Sequence, residues 1–183
     1  MELFEKAQTI RLRSYNDKYL IAGEDEETVY QDRNNSTKNS LWTVELVAGR
    51  DVIRLKSCYG KYLTATNIPF PPKVTGKRVI QSLPSNQDAS IFEWEPIRDG
   101  FQVKLKTLWG NYLRPNGGLP PWRNSITHDI VVIPQWNRSQ EKILWDVEVA
   151  ESPRHKRTTP SDRSFSASQQ LQNQQGMSLQ DFI

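Results

Sequence analysis

Apolar and charged residues alternate along three short segments of the chain, which are Ile10–Ser14, Ile53–Ser57 and Val103–Thr107. A period of two places the apolar side chains on one face, and this pattern is typical of a half-buried β-strand. After a short break, each segment is followed by a Lys or Asn, a Tyr and a Leu: Lys18-Tyr19-Leu20, Lys61-Tyr62-Leu63 and Asn111-Tyr112-Leu113. The breaks are rich in turn-forming residues, namely Asn16-Asp17, Tyr59-Gly60 and Trp109-Gly110. The pattern therefore predicts three β-hairpins.

Two further motifs recur once per hairpin. One closes each copy of the pattern, at Leu41–Glu45, Ile91–Glu95 and Leu144–Glu148. The other lies between the hairpin and the closing motif, at Thr28–Tyr30, Arg78–Ile80 and Val131–Ile133. The spacing between these two motifs is the same in all three copies, and only the interval before them lengthens. We therefore expect four strands per copy, with the insertions in one surface loop.

Twelve short strands in three equivalent copies, with no helical period between them, predict an all-β protein. Units that cannot bury their apolar faces alone favour a β-trefoil, in which a six-stranded barrel is capped by three hairpins. The domain is expected to span residues 1–150. The expected core contains the repeated leucines and one aromatic residue per closing motif: Leu12, Leu20, Leu55, Leu63, Leu105, Leu113, Trp42, Phe92 and Trp145. Residues 151–183 are rich in Ser and Gln, and a disordered tail is expected there.

The first two hairpins, Ile10–Leu20 and Ile53–Leu63, end in Lys-Tyr-Leu and resemble those of fascin-like β-trefoils. The segment Ile53–Ala65, together with Glu2–Tyr19 and Leu41–Val47, resembles the plant family grouped as domain of unknown function 569. The resemblance covers roughly residues 1–150. It implies a β-trefoil and, through its likeness to fascin, an actin-cross-linking-like protein. The third copy departs from the pattern because it has Asn111 in place of Lys and Pro115 in place of Ala.

The net charge and the cysteine content indicate which classes of partner and which cellular compartment to expect. The net charge is +3, with 24 basic and 21 acidic residues, so nucleic acid is a disfavoured partner. Cys58 is the single cysteine, which excludes an internal disulfide and favours a reducing compartment. The start Met1–Lys6 does not have the pattern of a signal peptide, and no apolar run is long enough to span a membrane. We expect a cytoplasmic protein, with the nucleus as a second location.

The sequence offers little that points to catalysis. His128 and His155 are isolated, and Cys58 has no evident base. The paired polar residues of the closing motifs recur in every copy, so scaffold surface is the preferred interpretation: Thr43/Glu45, Glu93/Glu95 and Asp146/Glu148. Neither a phosphate-binding glycine loop nor a metal-ligand spacing is present. We therefore expect no enzyme, no cofactor and no metal.

The variable loop is the candidate partner site. In copies two and three it carries Pro-Pro elements beside an aromatic and a basic residue. Proline restricts the loop, and rigid aromatic and basic side chains suit a partner surface. The predicted binding residues are Phe70, Lys73, Lys77, Arg78, Trp122 and Arg123. The alternative is that Phe70 and Trp122 fold back to plug the barrel.

A second candidate surface is formed by the outward basic residues of the first strands: Arg11, Arg13, Arg54, Lys56, Lys104 and Lys106. An ordinary solvated face is the preferred interpretation, and a basic band for actin or nucleic acid is the alternative.

These observations favour a non-catalytic protein-interaction module of the fascin-like trefoil type, with actin filaments as a candidate partner. One alternative is a trefoil that binds carbohydrate or another small ligand, with Trp122 and Trp136 as stacking residues. Another is an adaptor regulated through its C-terminal tail, where Arg154–Arg157 is a weak nuclear-import candidate. The oligomeric state and any phosphorylation of the tail stay open.

Overall fold

The computed structural model describes residues 2–5, 8–70, 76–84, 88–130 and 142–151. These residues form a short α-helix, α1 (Glu2–Glu5), two 3-10 helices (Lys38–Ser40 and Ala89–Phe92) and twelve strands. The strands are β1 (Thr9–Ser14), β2 (Tyr19–Ala22), β3 (Val29–Asp32), β4 (Trp42–Leu46), β5 (Ile53–Lys56), β6 (Tyr62–Pro69), β7 (Lys77–Ser82), β8 (Glu95–Asp99), β9 (Gln102–Lys106), β10 (Tyr112–Pro115), β11 (Ile126–Asp129) and β12 (Trp145–Glu151). Copy one comprises β1–β4, copy two β5–β8 and copy three β9–β12. The predicted tail lies outside the described residues apart from its first residue, Glu151.

Six strands close into a barrel. Antiparallel pairs join β1 to β4, β4 to β5, β8 to β9, β9 to β12 and β12 back to β1. A bridge between Ile53 and Trp94 joins β5 to the start of β8 and completes the ring. The remaining strands form the three hairpins β2–β3, β6–β7 and β10–β11. The all-β class and the trefoil architecture are therefore confirmed. No helix among the described residues is long and apolar enough to span a membrane.

The barrel core repeats three times. The six leucines expected in the core are fully buried. Trp42, Trp94 and Trp145 lie beside them, and each indole Nε1 donates to the carbonyl of a leucine in its own copy: Leu20 at 3.0 Å, Leu63 at 3.0 Å and Leu113 at 3.2 Å. These bonds satisfy the one polar atom of a large buried side chain.

The sequence alignment of copy two is wrong by two residues, because Trp94 occupies the place assigned to Phe92. Phe92 is also buried, but it packs edge-on against Tyr62 with ring centroids 5.9 Å apart. Two large aromatic residues stand close together in this copy, and hydrophobic pattern alone does not say which one has a carbonyl acceptor.

The third strand of copy three is also misplaced by the sequence pattern. It is β11 (Ile126–Asp129), and Ile126 pairs with Pro115 as Val29 pairs with Ala22 and Val79 with Ala65. The predicted segment Val131–Ile133 lies outside the described residues. The pattern failed because β11 is largely polar in sequence, although Thr127 and His128 are buried.

Three buried polar side chains hold the caps of neighbouring copies together. Gln31, Gln81 and His128 lie in register with the buried leucines Leu20, Leu63 and Leu113. Each side chain bonds a backbone carbonyl of another copy: Asn116 at 2.6 Å, Gly23 at 2.9 Å and Thr66 at 2.7 Å, respectively. His128 thus takes the place of a third glutamine in this ring of three buried polar side chains. A buried polar group needs such a partner, so the ring supports the threefold arrangement.

The outward basic residues of the first strands are engaged by neighbouring strands. Ion pairs join Arg13 to Asp146, Arg54 to Glu93, Lys56 to Glu45, Lys104 to Asp99 and Lys106 to Glu95, at 2.8–3.3 Å. Arg11 donates to Ser40 at 3.1 Å. The carboxylates of the closing motifs therefore pair with basic residues of the scaffold, but Glu93, which was expected on the scaffold surface, is buried. These strands do not present an unneutralised basic band.

Candidate binding cleft between copies two and three

The first hairpin turn of each copy has the same geometry. The backbone N–H of Ser14, Ser57 and Thr107 donates to the carbonyl four residues later, at 2.7–2.8 Å. The residue at the tip, which is Asp17, Gly60 or Gly110, has a positive φ of 54°, 75° or 81°. These shared bonds make Lys18, Lys61 and Asn111 equivalent positions.

At two of the three junctions between copies, this position carries a lysine that reaches the neighbouring copy. Lys18 Nζ donates to the side chain of Asn124 in copy three. Lys61 Nζ donates to the backbone carbonyl of Glu26 in copy one at 2.7 Å and pairs with its carboxylate at 3.3 Å. Each lysine therefore bridges its own turn to a loop of the adjacent copy.

At the third junction, between copies two and three, Asn111 stands in place of the lysine. Its shorter side chain stays within copy three and bonds His128 at 3.0 Å. Two adjoining cavities of about 390 Å³ and about 490 Å³ lie at this junction, and both are lined by Asn67 and Trp109. We call the pair the Trp109 cleft. The departure of copy three from the repeat thus coincides with an opening in the surface.

Trp109 is the central side chain of the cleft. The equivalent residues are Asn16 in copy one and Tyr59 in copy two, and Tyr59 accepts a hydrogen bond from Asn39 at 3.0 Å. Trp109 instead stacks on His128, with ring centroids 6.2 Å apart and an interplanar angle of 23°, and it remains 41% exposed. A large indole is therefore held against a buried ring with one part facing solvent.

The imidazole of His128, on which this indole stacks, is held as one tautomer. Its Nε2 lies 2.7 Å from the carbonyl of Thr66, which can only accept, so Nε2 carries the proton. Its Nδ1 then accepts from the amide of Asn111. Burial is the largest effect and lowers the pKa of His128; the hydrogen bond to Thr66 opposes it, Lys77 lowers the pKa further, and Asp129 raises it slightly. The imidazole is neutral at pH 7, and both of its nitrogens are engaged.

Exposed apolar side chains lie along the rim of the cleft. Ile68, Leu83 and Ile130 line it and are 55%, 61% and 64% exposed. Polar groups stand among them, since Lys77 donates to Asn67 at 2.8 Å and Asp129 accepts from the backbone N–H of Ile130 at 2.7 Å. Large exposed apolar side chains gathered around one indole are typical of an interaction site.

The predicted binding residues are divided between two junctions. Lys77 lines the Trp109 cleft, and Phe70 follows β6 on the same hairpin, where it is half-buried. Trp122 and Arg123 lie in the loop between β10 and β11, whose Asn124 carbonyl accepts from Gln31 of copy one. Arg78 is exposed on β7, in register with Thr127. Lys73 lies outside the described residues.

The aromatic residues of the Pro-Pro elements are therefore not at the centre of the cleft. Trp122 is half-buried, and its Nε1 is enclosed without an acceptor in the part of the chain that the structure describes. Trp109, Asn67 and the exposed aliphatic residues were missed. The signal that could have found them was the substitution of Asn111 for the repeated lysine, because it marks the junction at which this turn position carries no lysine.

Within the described ranges, no three His, Cys, Asp or Glu side chains are grouped closely enough to hold a metal ion. The carboxylates that would be candidates for catalysis are already paired with basic side chains. Glu93, which is buried, is held by Arg50 and by Arg54 at 2.8 Å. The side chains of the cleft can therefore offer a ligand stacking, apolar contacts and hydrogen bonds.

A family model described as a β-trefoil domain of unknown function (DUF569) matches residues 1–145. The chain belongs to this family. The resemblance read from the hairpins is thereby confirmed for the family itself. Among curated protein sequences, none matches this DUF569 chain.

Solved structures resemble the DUF569 domain at low sequence identity. A Caenorhabditis elegans protein of unknown function has a TM-score of 0.61 and 18% identity, covering 78% of this chain and 94% of the other. The designed threefold-symmetric protein ThreeFoil has a TM-score of 0.59 and 17% identity, covering 76% and 97%. A Polyporus squamosus lectin bound to a sialylated epitope has a TM-score of 0.59 and 16% identity, covering 78% and 49%. At such identities the likeness shows the shared trefoil fold.

Proposed function

We propose that this DUF569 chain is a non-catalytic protein-interaction module whose partner binds at the Trp109 cleft. The observation that carries the proposal is the exposed indole at the one junction where Asn111 replaces the bridging lysine. The other two junctions are bridged by Lys18 and Lys61. A binding residue is expected where a repeat departs from its symmetry, because the repeated residues already serve the fold.

The composition of the cleft favours a protein over a small polar ligand. Four of its lining side chains, Ile68, Leu83, Trp109 and Ile130, are large, apolar and exposed. A tryptophan surrounded by aliphatic residues with a polar rim is the usual composition of an energetically dominant patch at a protein interface. The stack on His128 fixes the indole before binding, so little side-chain entropy is lost when a partner arrives.

The titratable residues support a role without catalysis. His128 uses both ring nitrogens in bonds to Thr66 and Asn111. The carboxylates of Glu93, Glu95 and Asp146 are paired with basic residues of adjacent strands. A general acid or base must be able to reach its substrate, and these groups serve the scaffold instead.

Actin filaments are the first partner to test, because the hairpins resemble those of fascin-like trefoils. A cytoplasmic location suits this partner. The Trp109 cleft provides one filament contact, so bundling requires self-association or a second face. Co-sedimentation with filamentous actin measures the contact directly, and absence from the pellet at high filament concentration removes actin from consideration.

The experiment for the site itself compares two exposed aromatic residues. We expect Trp109→Ala to bind the partner about thirtyfold more weakly than wild type does, whether that partner is actin or a protein captured from an extract. Phe101 is 97% exposed in the turn between β8 and β9, and Phe101→Ala is the matched control that keeps the partner. Equal capture by both variants excludes the cleft as the site.

Asn111→Lys is the second variant for the same experiment. It restores the residue type found at Lys18 and Lys61, and we expect the long side chain to obstruct the cleft. Binding should fall in the variant that fills the cleft and persist in Asn111→Ala, which leaves it open. Circular dichroism of each variant confirms that the fold is retained.

A carbohydrate is the second candidate ligand. An exposed indole beside Asn67, Lys77 and Asp129 provides a stacking face with hydrogen-bonding groups, and the structural neighbours include a lectin. A glycan panel distinguishes a carbohydrate ligand from a protein partner. A sugar that binds wild type but not Trp109→Ala makes carbohydrate the ligand of the cleft. Regulation through the tail stays a prediction, since that segment lies outside the described residues.

A further inference from the structure

The charges at the Trp109 cleft are not balanced. Lys77 Nζ bonds the neutral amide oxygen of Asn67 at 2.8 Å, and none of the ion pairs within the described ranges involves Lys77. Asp129, the acidic residue of the cleft, accepts from the backbone N–H of Ile130 and lies 3.9 Å from Arg114. The carboxylate is therefore partly compensated by its surroundings, whereas the ammonium group is not.

The paired basic residues of the barrel strands differ from Lys77 in this respect. Arg13, Arg54, Lys56, Lys104 and Lys106 each have a carboxylate partner. Lys77 is half-buried and lines the larger cavity, next to Ile130 and Trp109. A cation at the edge of an apolar cleft is a complement for a carboxylate carried on an apolar segment.

The shape of the cleft adds a second restriction. Two cavities adjoin at one indole, with Ile68 and Leu83 in the smaller and Ile130 in the larger. In an extended peptide, side chains at positions i and i+2 point to the same face and lie about 7 Å apart. A short extended segment therefore presents two side chains to one surface, which is one for each of the two cavities that Trp109 lines.

We propose that the cleft binds an extended, acidic and apolar segment of a partner protein, in which two apolar residues at i and i+2 flank Trp109 and an adjacent Asp or Glu pairs with Lys77. This inference rests on the proposed function, because it specifies the partner of the same cleft. Apolar contact with the indole supplies most of the affinity, and the ion pair at the rim selects for acidic segments.

A displayed library of random peptides tests the inference on the full-length chain. The probe is the library itself, selected on wild type after removal of peptides that bind Trp109→Ala. We expect the recovered sequences to carry two apolar residues at i and i+2 beside Asp or Glu. A synthetic peptide from this set should bind Phe101→Ala as wild type. It should bind Lys77→Gln about two- to fivefold more weakly, Lys77→Glu more weakly still, and less tightly as salt rises.

The outcomes separate this inference from the proposed function. Recovered peptides that depend on Trp109 but are neutral or basic overturn the acidic segment and leave the protein-binding cleft standing. If no peptide depends on Trp109, the extended segment is overturned, and the proposed function fails only if Trp109→Ala and Phe101→Ala also capture the partner equally. A glycan that binds wild type and not Trp109→Ala, with no such peptide recovered, assigns the cleft to sugars. Affinity that is unchanged in Lys77→Glu overturns the ion pair whatever sequence is recovered.

Discussion

At the scale of single residues, His128 is the informative position. It occupies the place of Gln31 and Gln81 in the ring of buried polar side chains, and it bonds the Thr66 carbonyl as the glutamines bond theirs. A histidine differs from glutamine in that it can take up a proton. One of the three buried side chains can therefore respond to pH. The glutamine found at the other two positions is a neutral replacement for it.

His128→Gln should remove a component of the pH dependence of stability. The folded-state pKa of His128 is lowered, chiefly by burial and also by Lys77, with the Thr66 hydrogen bond and Asp129 opposing, so the unfolded chain binds the proton first as pH falls. The free energy of unfolding of wild type should therefore decrease as pH drops below about 6.5. Urea unfolding at pH 7.5 and 5.5 measures it.

The comparison of the two proteins isolates this histidine. Asp25 and Asp88 have lowered pKa values through backbone hydrogen bonds, but they titrate at more acidic pH and are common to both proteins. The variant should lose less stability than wild type between the two pH values. An equal loss in both contradicts the assignment of His128 as a buried neutral imidazole.

The sequence predicted the apolar core residues well and the polar ones poorly. The repeated leucines follow a period of two and are buried. Gln31, Gln81 and His128 are just as buried, but a polar side chain in an alternating pattern indicates solvent exposure. Their burial depends on carbonyls in another copy, and that contact exists only after the three copies assemble.

At the scale of strands, the indole bonds fix where each closing strand begins. Trp42, Trp94 and Trp145 each pair with the first core residue of their copy: Ile10, Ile53 and Val103. The closing motif of copy two was aligned on Phe92, which shifts β8 by two residues. Such an even shift leaves the inward and outward faces unchanged, so hydrophobic periodicity cannot detect it.

Trp94→Phe tests the corrected alignment. Removing the indole N–H leaves the buried carbonyl of Leu63 without its donor, so we expect a loss of about 1–3 kcal/mol in the free energy of unfolding. Trp122→Phe is the control, because its Nε1 has no acceptor in the part of the chain described. Chemical denaturation of both variants measures the difference, and equal losses contradict a structural role for the Trp94 bond.

At the scale of the whole molecule, the threefold repeat explains the fold and its interruption points to the site. The sequence showed that copy three has Asn111 instead of lysine, but not what the lysines do. That answer required the bonds from Lys18 to Asn124 and from Lys61 to Glu26, which cross between copies. The candidate site could not be predicted from any one copy, because its lining belongs to β6 and β7 of copy two and to the turn and β11 of copy three.

Hydrogen exchange of the full chain, alone and saturated with its partner, tests the central claim most directly. The partner is actin or the protein whose capture distinguishes Trp109→Ala from Phe101→Ala. We predict slower exchange at residues 64–68, 77–83, 107–111 and 126–130, with the turn around Phe101 unchanged. Protection at residues 99–102 or at the loop 24–27, with the residues of the Trp109 cleft unaffected, would contradict the account.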